Sequence, residues 1–183
     1  MLVAAQKYDE NVAEYILYMW HLEDALRACN FDMELIRANF VMPQAKDEAM
    51  AIKIEEWYET LIEKMHKEGK EKEGHLDEVN EVLIEMLYMH NLMLNITKDK
   101  EYDNLYRKAD PVIREFASKA NNNSLNPIEI CLQAQYSKLL LRLQKKEITE
   151  ETAKAFDVFR DLLAYLSDRF RQMKDGTYPV MNN

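Results

Sequence analysis

Glycine and proline are scarce, three and four respectively in 183 residues. These residues punctuate chains into short strands and tight turns, so their shortage argues against a strand-rich sandwich or barrel and for long helices. It also removes the Gly-rich loop whose backbone amides cradle phosphates, so nucleotide binding of that kind is not expected. Cysteine is limited to Cys29 and Cys131, far apart in sequence. That spacing gives neither a C-x-x-C pair nor a secreted disulfide framework, and it predicts a reducing, cytoplasmic setting. Long apolar runs are missing too: the longest, Tyr15 to Trp20, is six residues, against the roughly 20 that cross a bilayer. The opening MLVAAQKYDE has no basic leader region and no small-residue cleavage site, so neither export nor membrane insertion is expected.

Positive charge is in deficit. Lysine and arginine number 24 against 33 acidic residues, a formal charge of −9, whereas a polyphosphate partner requires cations to replace its counterions. Lys138, Arg142, Lys145 and Lys146 gather near the end of one predicted helix, and Arg169, Arg171 and Lys174 near the end of the next. Antiparallel packing sends these clusters to opposite ends of the pair, so no nucleic-acid partner is expected.

What is present is helical periodicity. A first helix is predicted from about Lys7 to Cys29, with Val12, Ile16, Met19 and Leu26 on one side and Leu17, Trp20 and Leu22 beside them. Apolar residues on more than one face predict a central position. Asp32 caps a short helix that ends before Pro43, because the residue preceding proline is pushed out of the α region. A one-faced helix follows from about Gln44 to Lys67 on Met50, Ile54, Trp57, Leu61 and Met65. GKEKEG at 69–74 forms a solvated hairpin tip before a fourth helix, about Leu76 to Ile96.

Pro111 predicts either two short helices, the second capped by Asp110, or one bent one. NNNS at 121–124 reads as a loop. Asn126, Pro127 and Glu129 together give a strong helix start, and Thr149 caps a last helix carrying Phe156, Phe159, Leu163, Leu166, Phe170 and Met173. Gly176 terminates that helix. The expected fold is all-α: an antiparallel helical bundle of about six to eight helices with no sheet. Residues 1–175 read as a single domain and 176–183 as a disordered C-terminal tail. Shifting by 70 residues aligns Val12, Leu17, Tyr18, Met19 and Leu22 with Val82, Leu87, Tyr88, Met89 and Leu92; duplication and the chance similarity of two apolar helices remain open as causes.

Two polar rows stand out. Glu14, Tyr18 and His21 share a narrow stripe of the first helix, and Glu81, Glu85, Tyr88 and Asn95 share one on the fourth. Facing each other, Glu14, Tyr18, His21, Glu85 and Tyr88 would form a buried site of carboxylate, phenol and imidazole for a metal or a small polar ligand. Apart, each row is simply the wet side of its helix. His90 differs, because Leu83, Met86, Leu87, Met93 and Leu94 share its side, which places it in the core with its ring nitrogens satisfied by a neighbour.

A di-iron carboxylate bundle needs two Glu-x-x-His motifs, and Glu63 with His66 is the only such pair. No metal or cofactor is therefore expected. Ser118, Ser124, Ser137 and Ser167 lie outside any nucleophile elbow, and neither cysteine has an activating motif, so no catalytic residue is assigned. Ten tyrosines, two tryptophans and 11 methionines suit either a Met-rich core or a groove for a partner helix.

Residues 11–36, NVAEYILYMWHLEDALRACNFDMELI, resemble the N-terminal signature of an uncharacterised family of Bacteroidetes proteins about as long as this chain, a domain of unknown function. Position 21 departs from it, with His where the family pattern has Gln. The resemblance implies one helical domain of bacterial cytoplasm and brings no activity or catalytic residues. A non-enzymatic module acting through a protein partner or self-association is the leading expectation; a bundle binding a metal or small polar ligand at the Glu/Tyr/His stripe is the alternative.

Overall fold

A computed structural model describes residues 2–119 and 126–178. Among them are eight α-helices and no strand: α1 (Leu2–Glu10), α2 (Val12–Ala28), α3 (Met33–Ile36), α4 (Glu48–Lys67), α5 (Asp77–Asn91), α6 (Lys100–Lys119), α7 (Pro127–Leu143) and α8 (Glu150–Lys174). Two π-helical turns, Arg37–Val41 and Leu92–Ile96, extend α3 and α5. The all-α expectation holds.

Start signals set most of the boundaries. Asn126 Oδ1 accepts the Glu129 amide at 2.8 Å, with Pro127 in the first turn where its missing N–H is not needed. Asp32, Asp47 and Thr149 cap α3, α4 and α8 in the same way. At the other end, Gly176 takes a φ of +69° after α8, a left-handed conformation that costs glycine little. The predicted loop at 121–124 and most of the predicted tail, 179–183, lie outside the described residues.

The first helix is interrupted. Asn11 is extended (φ −155°, ψ 98°), and its side chain accepts the Glu14 amide at 3.1 Å. Apolar periodicity runs across this point, but Asn followed three residues later by Glu is the same start signal as at Asn126. Local hydrogen bonding therefore won over the continuous stripe, and α1 folds back on α2 and α8. Pro111 has the opposite outcome: α6 runs through it uninterrupted. Pro111 is exposed, so water can take the carbonyl bond that proline forfeits, and Asp110 pairs with Arg114 one turn on instead of capping.

Helix α2 is central as expected, packing on α1, α5, α7 and α8, while α8 also meets α6. Ile16, Leu26, Met86, Met89, Tyr102, Leu132, Phe159 and Leu166 are wholly buried in one continuous core. Each large apolar side chain so buried stabilises by about 1.5–3 kcal/mol. His90 belongs to it: 4% exposed, with Nδ1 2.6 Å from the Tyr102 hydroxyl and its ring edge-on to Tyr106. Burial pulls its pKa down to about 4, so the ring is neutral and shares one proton with the phenol. Beyond α8, Tyr178 is also buried, its hydroxyl 2.9 Å from Thr97 Oγ1.

Candidate functional site

The two polar rows do not converge. Glu14 is exposed and receives Lys7 Nζ at 2.8 Å. Tyr18 and His21 are half-buried, and desolvation pushes the Tyr18 phenol up to about 12. At 100° per residue this row lies roughly opposite the buried Ile16–Met19 side of α2. Glu85 is exposed and Tyr88 is 60% exposed. Among the described residues no hydrogen bond or ion pair joins Glu14, Tyr18, His21, Glu85 and Tyr88 to one another.

The buried polar group of α2 is Glu23. Val12, Ile16, Met19, Glu23 and Leu26 continue a 3–4 spacing that sets a carboxylate on the apolar stripe, and Glu23 is 1% exposed. Both of its oxygens are used. Oε1 accepts the backbone N–H of Leu76 at 3.0 Å, and Oε2 lies 2.6 Å from His75 Nδ1. Helix α5 has no side-chain cap of its own at Leu76, so a carboxylate from α2 satisfies its start and complements its dipole.

Trp20, one turn before Glu23, stacks on His75 with centroids 4.5 Å apart and planes 16° apart. Its other neighbour is Tyr136 of α7, edge-on at 5.9 Å. The indole Nε1 is buried with no hydrogen-bond partner, and a buried donor left unmade costs about 1–3 kcal/mol. Tyr136 donates to Asp24 Oδ2 at 2.5 Å, and Asp24 also accepts Arg27 Nη1 at 2.8 Å. Burial and the adjoining Asp24 carboxylate raise the Tyr136 phenol well above its ordinary value.

Arg27 fixes the connector between α4 and α5. Its Nε donates to the Lys70 carbonyl at 3.0 Å and its Nη2 to the Gly74 carbonyl. Gly74 has a φ of +82°, so the turn that presents its carbonyl favours glycine. Asn80 Nδ2 donates to the His75 carbonyl at 3.1 Å. Side chains of α2, this connector and α7 thus enclose a cleft of about 410 Å³ with Trp20, His75 and Tyr136 on its walls and Lys72 and Glu73 on the connector side. Glu129, at the start of α7, is held up in pKa by burial and drawn partly back by His75.

This arrangement holds the His75 imidazole in one orientation, since Glu23 takes Nδ1. Among the described residues no group of three His, Cys, Asp or Glu side chains is placed to hold a metal ion. A second hollow of about 400 Å³ lies between α6 and α8 against Val112, Phe116, Phe156 and Phe159. It is mainly apolar, and its lining also includes Glu115, Lys119, Glu151 and Thr152, of which Lys119 and Glu115 pair with each other. Sequence reasoning missed Glu23 and His75. A carboxylate on the buried stripe was a legible signal for the first; nothing local marked the second.

A family model described as a domain of unknown function (DUF4924) matches residues 1–177. The chain belongs to this family. No curated protein and no solved structure matches it. Membership in DUF4924 carries no activity, so the reading of the cleft rests on its geometry. No helix among the described residues is long and apolar enough to cross a membrane.

Proposed function

We propose that this domain is a non-enzymatic binding module whose cleft between α2, the α4–α5 connector and α7 takes a small polar ligand. The observation that carries this reading is the cleft wall itself, where the Trp20 ring stacks on His75 and a buried carboxylate, Glu23, fixes that imidazole. Binding sites characteristically combine an apolar or aromatic wall with a few fixed polar groups. The indole N–H of Trp20 supplies the test, because only Trp57 gives a second such signal and Trp57→Phe separates the two. Screening the full chain against a broad set of small polar molecules by NMR should find one that shifts the Trp20 signal and loses that effect in His75→Ala. A set that leaves the signal unmoved overturns the reading.

The exposed surface supports a second reading, the protein-interaction role expected from sequence. Ile84 and Tyr88 are 64% and 60% exposed, one turn apart on α5, and paired apolar anchors at that spacing suit a partner helix or a second copy of the chain. Light scattering and crosslinking of wild type against Ile84→Glu/Tyr88→Glu test this: loss of a complex supports it, and a strict monomer capturing nothing removes it. The cysteine usage and the resemblance of residues 11–36 support a bacterial cytoplasmic setting, within the Bacteroidetes.

A further inference from the structure

We infer that two copies of this chain pair through α5, antiparallel across a two-fold axis; the inference rests on the partner reading of Ile84 and Tyr88 above and names the partner. Glu81, Ile84, Glu85 and Tyr88 follow the i, i+3, i+4, i+7 spacing of one helix face, and all four are exposed. The π turn carries α5 on to Asn95 and Ile96, also exposed, and the exposed Lys98 and Lys100 follow. Ile96, Ile84 and Tyr88, at 65%, 64% and 60%, are the most exposed large apolar side chains among the described residues. Earlier on the helix, Asp77 and Glu78 are paired with Lys70 and Lys64. The side chains of Glu81, Glu85, Lys98 and Lys100 make no hydrogen bond or ion pair among the described residues.

This row is complementary to itself when reversed. From Glu81 to Lys98 is about 25 Å of helix, well beyond the screening length of about 8 Å at physiological salt, so the acidic start and the basic end do not compensate each other within one chain. Turning a second copy end for end about an axis level with residue 90 sets Ile84 opposite Ile96 of the second copy, Glu85 opposite its Asn95, and Glu81 between its Lys98 and Lys100. Each contact then occurs twice, as in any isologous pair, and both charged ends meet the opposite sign. A parallel copy would set Glu81 and Glu85 against themselves. A uniformly basic helix would match the carboxylates but meet Lys98 and Lys100. So small a set of apolar contacts makes a weak pair, with a Kd on the order of 10–100 μM.

Sedimentation velocity of the full chain from about 1 μM to about 1 mM should show a monomer–dimer equilibrium. Ile96→Glu should weaken it at least about tenfold. Glu81→Lys, or Lys98→Glu with Lys100→Glu, should each weaken it about tenfold, because either reversal sets like charges together twice. Combining all three substitutions restores the attraction and should bring association back to within about threefold of wild type. Every substituted side chain is exposed, and an unchanged circular-dichroism melt reports that each variant folds. A wild type that stays monomeric at about 1 mM, a dimer indifferent to Ile96→Glu, or a combined variant no tighter than the separate reversals overturns the antiparallel pair. The partner reading survives that result where Ile84→Glu/Tyr88→Glu abolishes a complex with another protein or a differently arranged dimer. Where that variant changes nothing, both fall together.

Discussion

Replacing Glu23 with alanine tests the physical centre of the site. Glu23 accepts the N–H of Leu76, a residue with no exposed surface, and holds His75 Nδ1 at 2.6 Å. In Glu23→Ala the Leu76 donor is orphaned, at about 1–3 kcal/mol. The charge-assisted bond to His75 is lost too, at about 1 kcal/mol, because the partly exposed ring recovers water. Together these destabilise the fold by about 3 kcal/mol. With a urea slope of about 2 kcal/mol/M, the unfolding midpoint falls by about 1.5 M while the slope stays constant. Glu23→Gln keeps an acceptor for Leu76 and should lose only about 1 kcal/mol. A double-mutant cycle with His75→Ala should return a coupling of about 1 kcal/mol. A Glu23→Ala midpoint within about 0.3 M of wild type would refute the claim that this carboxylate anchors the start of α5.

His90 predicts a pH dependence. Its folded pKa of about 4 lies below the unfolded value of about 6.5, so the unfolded chain binds more protons between them. Stability is complete above about pH 6.5 and lost as pH falls toward about 4; His90→Gln should flatten that limb in urea titrations at stepped pH. Phe159→Ala, at a wholly buried position, should cost about 3–5 kcal/mol by chemical denaturation. Asn126→Ala removes the cap of α7 and should cost about 1 kcal/mol, read as a drop in melting temperature.

Sequence and structure agree where the governing interaction is local. The caps at Asp32, Asn126 and Thr149 were legible because each side chain bonds an amide two or three residues away. His90 was legible for a related reason: its apolar neighbours on α5 are given by helical spacing alone. The break at Asn11 was readable too, but the apolar stripe of residues 12–26 overshadowed its Asn–Glu start signal. The candidate site was harder because Glu23 and His75 are 52 residues apart and meet only through tertiary packing. The polar row of Glu14, Tyr18 and His21 drew notice because its residues are chemically versatile, yet it lies away from the buried side of α2. On α4 the buried stripe is Ala51, Ile54, Tyr58, Leu61 and Met65. Tyr58 thus occupies the central position expected for Trp57; both satisfy the 3–4 spacing, so spacing alone does not choose between them.

Helix α4 is attached differently from its neighbours. Arg37, from the turn before it, reaches forward to Glu48 and Glu55 on its first two turns; after it, Arg27 grips the carbonyls of Lys70 and Gly74. Between these two clamps its backbone closely approaches little besides the π turn at Arg37–Val41. A helix hinged at both ends and held in the middle by side-chain tips opens as a unit before the rest unfolds. Its amides should therefore exchange with deuterium in one cooperative step, faster than those of α2 and α8.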